Sequence, residues 1–538
     1  MKKKLAALIF CVCFLFTNKV FAQNYTQLDA IYINDVHGEL IKYGKFVSFL
    51  AEHLNSKKSL VSASGDMYIG KNERRNHAMT QLMNLSNVDI FTLGNHEFDN
   101  GSAALARQLK KANFKTIMTN MDIPSGNPLT DLKNDKLFSS AIIEKDGEKY
   151  GIVGAAPIGV NLGLFDKTDA VTVLDPEKTV QALNAEVKKL ESQGINKIIL
   201  ISHLGYFGDG GDLNIAQKTE GIDVILGGHT HLLIEGTQRS DKDKTHLKNL
   251  VMSKRNEPVI IVQAGGLGEY IGHLKVLFDE KGIIATKNDL APINDIFTLE
   301  EFQNLPKTPY DELIDKINTK ALGKNEIVAT VKTPFVSSGT TEERNTENPT
   351  ANLLTDAVYD KVKNKNVEVV LLHSPDVRGG LENQITTYQI KYSMLPFNGD
   401  FYYIELSEKD FVKLLNTEAM TSILTDNSQI IQCKGMSYTV DKTIQNPDYD
   451  KAICIKDVVL KSNNTNSVID PANPNPDNTI KCAVAGYMFL DKRTKDILAN
   501  GKNKQFIGKE QDILIKYLKK QKTVNPVREG RVKVIEKL

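Results

Sequence analysis

Five short polar segments of this 538-residue chain place metal-binding side chains at close spacing. They are "NDVHGEL" with Asp35 and His37, "SASGDMYIG" with Asp66, "GNHEFDNG" with Asn95 and His96, "ISHLGY" with His203, and "GGHTH" with His229 and His231. A lone histidine after a strand usually makes a structural hydrogen bond. Asp-x-His and His-x-His say more, because residues i and i+2 of an extended segment point the same way and can face one ion. With His96 set aside, the segments offer the carboxylates of Asp35 and Asp66, the amide oxygen of Asn95, and the imidazoles of His37, His203, His229 and His231. That nitrogen and oxygen set suits Zn²⁺, Mn²⁺ or Fe²⁺ and not Ca²⁺. Seven donors exceed one tetrahedral ion and suit two ions sharing a carboxylate. Paired ions about 3.5–4 Å apart can activate a water and clamp a transferring phosphoryl group. Gly38, Gly65, Gly70, Gly94, Gly101, Gly227 and Gly228 lie in the same segments, where tight turns bring backbone close to such a site.

The elements that must position these groups follow from periodicity. From Leu28 to about Phe278, apolar runs ("LDAIYI", "SLVSA", "VDIFTL", "FKTIM", "KIILIS", "IDVILGG", "PVIIVQA") alternate with amphipathic helix-length stretches such as Lys45–Asn55 and Asn76–Asn84. Short strands interleaved with helices predict a layered α/β domain, and the polar segments follow its strands, where such folds place their sites. The text turns polar near Ile296 and predicts a linker with a connecting helix. A second domain starts near Asn325, with a helix in "NPTANLLTDAVYDKVKN" and strands in "VEVVLLHS" and "DFYYIELS". "VIDPANPNPDNTI" reads as a turn-rich loop.

Composition narrows the setting. A net charge of +1 gives no sign of a nucleic-acid binder. "MKKKLAALIFCVCFLFTNKVFAQ" pairs a lysine cluster with an apolar run of roughly a dozen residues and a small-residue cleavage site, as a secretory signal does. Its expected end is near Ala22. No second apolar span follows, and "EGRVKVIEKL" lacks a hydrophobic tail, so no stable membrane anchor is expected. The protein is expected to be secreted, and periplasmic if bacterial. Cys433, Cys454 and Cys482 remain after cleavage. Proximity in sequence favours a Cys433–Cys454 bridge, with three buried reduced thiols as the alternative.

The order D-x-H, G-D, G-N-H-E-F-D, S-H, G-H-T-H resembles the signature of calcineurin-like metallophosphoesterases, in the spelling of their secreted 5'-nucleotidase / UDP-sugar hydrolase branch. "NHAMTQLMNLSNVDIFTLGNHEFDNG", "GIDVILGGHTH", "VIIVQAGGLGEYIGHLKV", "NLLTDA", "LPFNGDFYYIELS" and "NPVREGRVKV" extend the resemblance over nearly the whole mature chain. It implies an N-terminal four-layer α/β sandwich over residues 23–295, a linker over 296–324 and a C-terminal α+β 5'-nucleotidase-type domain over 325–538, behind a signal at 1–22. It implies two divalent ions, Zn, Mn or similar. Asp35, His37, Asp66 and His231 would hold one; Asp66, Asn95, His203 and His229 would hold the other. His96 would face the phosphoryl group as a catalytic group oriented by Asp99, and Glu97 would be structural.

The second domain departs from the family pattern. "LPFNGD" keeps an aromatic, Phe397, for stacking a base. In "CAVAGYMFLDKRTKD" the family's Gly-Gly-Asp is missing and Tyr487 stands as the second aromatic. "HSPDVRGG" keeps Arg378 but carries His373, Pro375 and Asp376 where relatives have Asn and Gly. "ANL" at Ala351–Leu353 replaces "GNL", and Arg344 holds a family arginine position. Core packing is the rival role for Phe397 and Tyr487. The expected activity is hydrolysis of nucleotides by a secreted dinuclear phosphohydrolase, with UDP-sugars as further substrates. A 2',3'-cyclic nucleotide phosphodiesterase, a thiosulfohydrolase and a non-catalytic binding protein on the same fold are the rivals.

Overall fold

A computed structural model of the protein describes residues 25–159, 171–235, 248–293, 309–323, 325–335, 345–378, 380, 383–424, 430–444, 452–462 and 465–535. The expected signal at 1–22, the first part of the expected linker at 296–308 and Arg344 lie outside the described residues.

The N-terminal domain is two packed sheets. In the first, the strands Thr26–Ile33, Ser59–Ser64, Ile90–Thr92, Lys115–Ile117 and Leu137–Phe138 run parallel, and Tyr270–Asp279 and Gly282–Pro292 add an antiparallel edge. In the second, Glu148–Ala155, Ile198–Ser202, Val224–Leu226 and Pro258–Ala264 form a parallel centre with antiparallel strands at its margins. These strands read as nearly continuous apolar runs because both faces are covered. Along Thr26–Ile33 the sides alternate: Leu28, Ala30 and Tyr32 face the second sheet, while Ile31 and Ile33 face helices. The helices Leu40–His53, Glu73–Leu85 and Gly101–Leu109 cover the first sheet, and Pro176–Glu191 and Asp212–Lys218 cover the second. The result is the expected helix–sheet–sheet–helix order. The helix Pro309–Leu322 lies against Leu40–His53 and Glu73–Leu85 and buries Ile314, Ile317, Ala321 and Leu322 in their core.

The C-terminal domain is built on a five-stranded mixed sheet, in the order Ile431–Lys434, Val369–His373, Thr479–Ala485, Asp400–Ser407, Lys502–Lys509. Pro349–Val362 and Glu510–Gln521 pack on one face, and Glu408–Leu424 on the other. Asn348 starts the first of these helices by accepting hydrogen bonds from the backbone N–H of Thr350 and Ala351. A four-stranded sheet around Met436–Asp441 and a three-stranded sheet of Gln384–Thr386, Ile327–Val331 and Thr523–Val524 complete the domain. Cys433, Cys454 and Cys482 are all unbridged here and fill one apolar cluster as small hydrophobic groups, so the favoured Cys433–Cys454 bridge is absent.

Candidate active site

Every predicted ligand follows the C-terminal end of a parallel strand: Asp35 and His37 after Thr26–Ile33, Asp66 after Ser59–Ser64, Asn95 after Ile90–Thr92, His203 after Ile198–Ser202, and His229 and His231 after Val224–Leu226. A strand leaving a sheet must turn sharply to point side chains into the crevice above the sheet edge. Asp35, His37, Asp66, His229 and His231 do so with positive φ, at 52°, 51°, 50°, 73° and 55°. Such a conformation costs a non-glycine residue about 1–2 kcal/mol, and Asn, Asp and His tolerate it best. At Gly94 the requirement is a different one, since a side chain there would collide with the Asp66 carboxylate and His203.

Six of the seven side chains, Asp35, His37, Asp66, His203, His229 and His231, group together. His37 Nε2 and His231 Nε2 lie 3.0 Å apart, and Asp35 Oδ1 is 3.7 Å and 3.3 Å from them. Asp66 Oδ2 is 3.1 Å from His203 Nε2 and 4.0 Å from His37 Nε2, so it sits between the two groups of imidazoles. Asp35, His37 and His231 form one set of groups that could hold an ion, and Asp66, His203 and His229 another. The donor atoms are prepared for it. Asp35 Oδ1, Asn95 Oδ1 and His203 Nε2 are buried without a hydrogen-bond partner, a condition that a metal bond relieves. Two of the opposite atoms are engaged: His203 Nδ1–H donates to Ser64 O at 2.6 Å, and Asp35 Oδ2 accepts from Asn34 Nδ2 and His229 N, each at 2.8 Å. The residues present fit divalent cations.

The electrostatics agree. Burial pushes the Asp66 carboxyl upward, but the His203 and His96 imidazoles more than reverse this and hold it well below its ordinary value. Burial opposes protonation of His203, and the carboxylates of Asp66 and Asp35 overcome it, pushing its pKa up to about 10. Burial and the charge of His203 pull His229 down to about 4. The two carboxylates demand positive charge at the centre of the cluster.

Three residues of "GNHEFD" divide the remaining work. Glu97 accepts from the backbone N–H groups of Asp66, Met67, Tyr68 and Gly94 at 2.9, 2.8, 3.0 and 2.7 Å, which locks the Asp66 loop to the Asn95 loop. His96 Nδ1 lies 2.9 Å from Asp99 Oδ2, which also accepts from Gly70 N at 2.6 Å. The Nε2 edge of His96 is thereby left for the cluster. His96 also groups with His37 and Asp66 as a set that could hold an ion.

Beyond His96 a cavity of about 770 Å³ opens between the domains. All three expected substrate contacts line it. The Phe397 ring lies 5.7 Å from the His96 ring, and the Arg378 guanidinium stands 5.6 Å from the Phe397 ring. Burial lowers the pKa of Arg378 while Asp66 and Asp99 draw it back, as expected for a guanidinium facing the cluster. Tyr487 is less available than expected, because His373 stacks on its ring at 5.3 Å and 20°. Phe489, two residues on, was not singled out in the sequence. It borders the cavity with Tyr402, the rings 5.4 Å apart, and Lys504 Nζ sits 3.7 Å from the Phe489 ring centre. Only the aromatic spacing of "GYMF" hinted at it. Asp376 and Glu510 add carboxyl groups to the lining, and burial pushes Glu510 up to about 8.

Two family models match the chain: calcineurin-like phosphoesterase over residues 30–233, and the 5'-nucleotidase C-terminal domain over residues 327–490. Together they span more than half of it. The chain is similar to the 5'-nucleotidase of Rattus norvegicus, with 26% identity over 88% of this chain and 81% of the rat protein. It is 24% identical to a trifunctional nucleotide phosphoesterase of Bacillus subtilis across 95% of this chain, but spans only 35% of that longer protein. Among solved structures, a 5'-nucleotidase precursor of Thermus thermophilus superposes with a TM-score of 0.76 at 22% identity, covering 95% of this chain and 100% of that one. A sulfate thiohydrolase of the same organism gives 0.69 at 17% identity, covering 97% and 98%. At these identities the two structures speak for the fold alone.

Proposed function

Because this chain belongs to the calcineurin-like phosphoesterases of the 5'-nucleotidase family, a family of phosphomonoester hydrolases, we propose that it hydrolyses nucleoside monophosphates with two divalent ions. Asp35, His37, Asp66 and His231 hold one ion. Asp66, Asn95, His203 and His229 hold the other. Bound ions of the Zn or Mn kind supply a water of lowered pKa and neutralise charge on the phosphoryl oxygens. Arg378 pairs with the phosphate, for which a guanidinium is the better-shaped cation. Asp99 accepts Nδ1–H of His96 and stabilises its imidazolium, so that Nε2–H donates to the leaving oxygen. Phe397 offers its ring face to the base.

The observation that carries this reading is the contact between His96 and Phe397 at 5.7 Å, which joins the cluster to an aromatic wall across the domain boundary. A phosphate held at the cluster leaves its organic part beside that ring. The cavity is of the size usual for small-molecule sites, and we include UDP-sugars among the substrates to be tested. We assign residues 1–22 to a cleaved export signal, 23–295 and 325–538 to the two domains and 296–324 to the linker, and place the protein outside the cytoplasm, in the periplasm if the source is bacterial. No helix among the described residues is long and apolar enough to cross a membrane.

The test is phosphate release from the purified, metal-loaded protein over nucleoside monophosphates, UDP-sugars, 2',3'-cyclic nucleotides and an aryl phosphate, together with metal analysis. Nucleoside monophosphates are expected to turn over fastest, at about two ions per chain. Turnover of cyclic nucleotides alone, or of none of these substrates with metals bound, overturns the reading.

A further inference from the structure

Arg75 has no role in the chemistry above, yet it is placed as few arginines are. It is 1% exposed, and its Nε and Nη1 have no hydrogen-bond partner. Its Nη2 donates to two carbonyls in different domains, Ile69 O at 2.5 Å and Pro396 O at 3.4 Å. The Tyr392 ring of the C-terminal domain lies 5.6 Å from its guanidinium carbon. On the N-terminal side the side chain leaves the first turn of Glu73–Leu85, where Asn72 caps the helix by accepting from Arg75 N at 3.1 Å.

What the two carbonyls belong to gives the position its meaning. Ile69 precedes Gly70, whose N–H is held by Asp99, the partner of His96. Pro396 precedes Phe397, whose ring faces His96. One guanidinium therefore spans from the segment that anchors the His96–Asp99 pair to the segment that carries the aromatic wall. A second contact, Glu39 to Ser393, crosses the same boundary. The Glu39 carboxylate favours the charged form of this guanidinium, so the side chain also answers a charge on the N-terminal domain.

We propose that Arg75, which borders the cavity, is a positioning residue that sets the distance between Phe397 and His96 and so tunes nucleotide binding. The inference rests on the nucleotide reading of the site. Arg75→Met should raise KM for nucleoside monophosphates about tenfold, the scale of one hydrogen bond from a charged donor, a shift that a merely structural residue would not produce. The kcat should change little, because the lost interaction binds ground state and transition state alike. Arg75→Lys keeps the charge and one donor and should recover part of the loss.

The decisive measurement is a double-mutant cycle on KM with Arg75→Met and Phe397→Ala. If Arg75 acts through Phe397, the second substitution should add less than twofold in the background of the first. Additive effects, or a lowered thermal midpoint with unchanged KM, overturn the proposal, and so does failure of Arg75→Met to fold. Tyr392→Leu provides an independent arm, with a rise in KM in the same direction expected and no rise counting against it. Wild-type protein that turns over no nucleotide sinks the functional reading instead, and metal content near wild type in each variant keeps the two failures apart.

Discussion

The ligand cluster and the aromatic cavity touch at His96 and Phe397, yet they are built in opposite ways. In the cluster, backbone decides. Asp35, His37, Asp66, His229 and His231 adopt left-handed conformations, and Glu97 ties two of the loops through four backbone N–H groups. Displacing one ligand means re-routing main chain. In the cavity, side chains rest on side chains: Lys504 on Phe489, His373 on Tyr487, Arg378 beside Phe397. These contacts are made by side chains and do not depend on a special backbone conformation. Hydrolysis needs charges at fixed positions, whereas holding a flat ring needs only an apolar face, so the first region is rigidly determined and the second is free to drift.

The comparison breaks first, and most sharply, if the cluster tolerates change. Asp66→Asn should remove or weaken both ions and take hydrolysis below detection, a loss beyond the roughly 10²–10⁴-fold typical of a single acid–base group. Metal analysis and phosphate release check it, and retained activity with two ions bound would show that Asp66 does not join the sites. Next in size is His96→Ala, expected to lower kcat about 10²–10⁴-fold with metal content near wild type. Asn95→Ala should instead lower occupancy at one site. Loss of an ion from the His96 variant would make His96 a ligand, which its grouping with His37 and Asp66 keeps as a concrete alternative.

The cavity should answer more softly. Phe397→Ala is expected to raise KM for AMP, GMP, UMP and CMP alike, by about tenfold given about 1–3 kcal/mol per stacked base. The effect on kcat, and on an aryl phosphate, should be smaller. Wild-type discrimination among the bases should stay under about a hundredfold, because "CAVAGYMFLDKRTKD" lacks the Gly-Gly-Asp that the family resemblance leads one to expect. A stronger preference, measured as kcat/KM, would mean that other groups in the cavity, such as Asp376 or Glu510, read the base.

The smallest effect concerns His373, which lies 3.5 Å from Glu418 and 3.6 Å from Asp376. Burial opposes its charge, but these two carboxylates push its pKa up to about 9, from an ordinary value of 6.5. The folded state therefore holds a proton that the unfolded chain releases. The stabilisation is complete below pH 6.5 and is lost as pH rises through 9. The thermal midpoint should fall over that interval by roughly a few degrees, and His373→Gln should flatten the fall. An unchanged slope in the variant would show that other groups govern it.

How much could be read without coordinates follows the same division. Strand ends and the clustering of the polar segments after them were legible because an apolar run followed by D-x-H or G-H-T-H has few physical meanings. "PVIIVQA" is the strand Pro258–Ala264, residue for residue. Phe397 and Arg378 were legible through their neighbours in "LPFNGD" and "HSPDVRGG". Phe489 and Arg75 were not. Their importance comes from what folds against them, Tyr402 and Lys504 in one case and the carbonyl of Pro396, 321 residues away, in the other. No spacing rule reaches across such a separation. The cysteines misled for a related reason. Proximity in sequence suggested a bridge, but all three side chains serve as filling for a common core.

The left-handed backbone at the ligand positions also limits which side chains the cluster could ever recruit. At Asp35, His37, Asp66, His229 and His231 a replacement must supply a donor atom and also live at positive φ. Of the common residues only Asn, Asp and His meet both demands readily. Cysteine would meet the first and incur about 1–2 kcal/mol at each site. Softer, thiolate-loving metals are therefore discouraged by the geometry of the main chain before ligand chemistry is consulted. Attempts to re-programme the centre by directed evolution should find their viable variants within that three-letter alphabet.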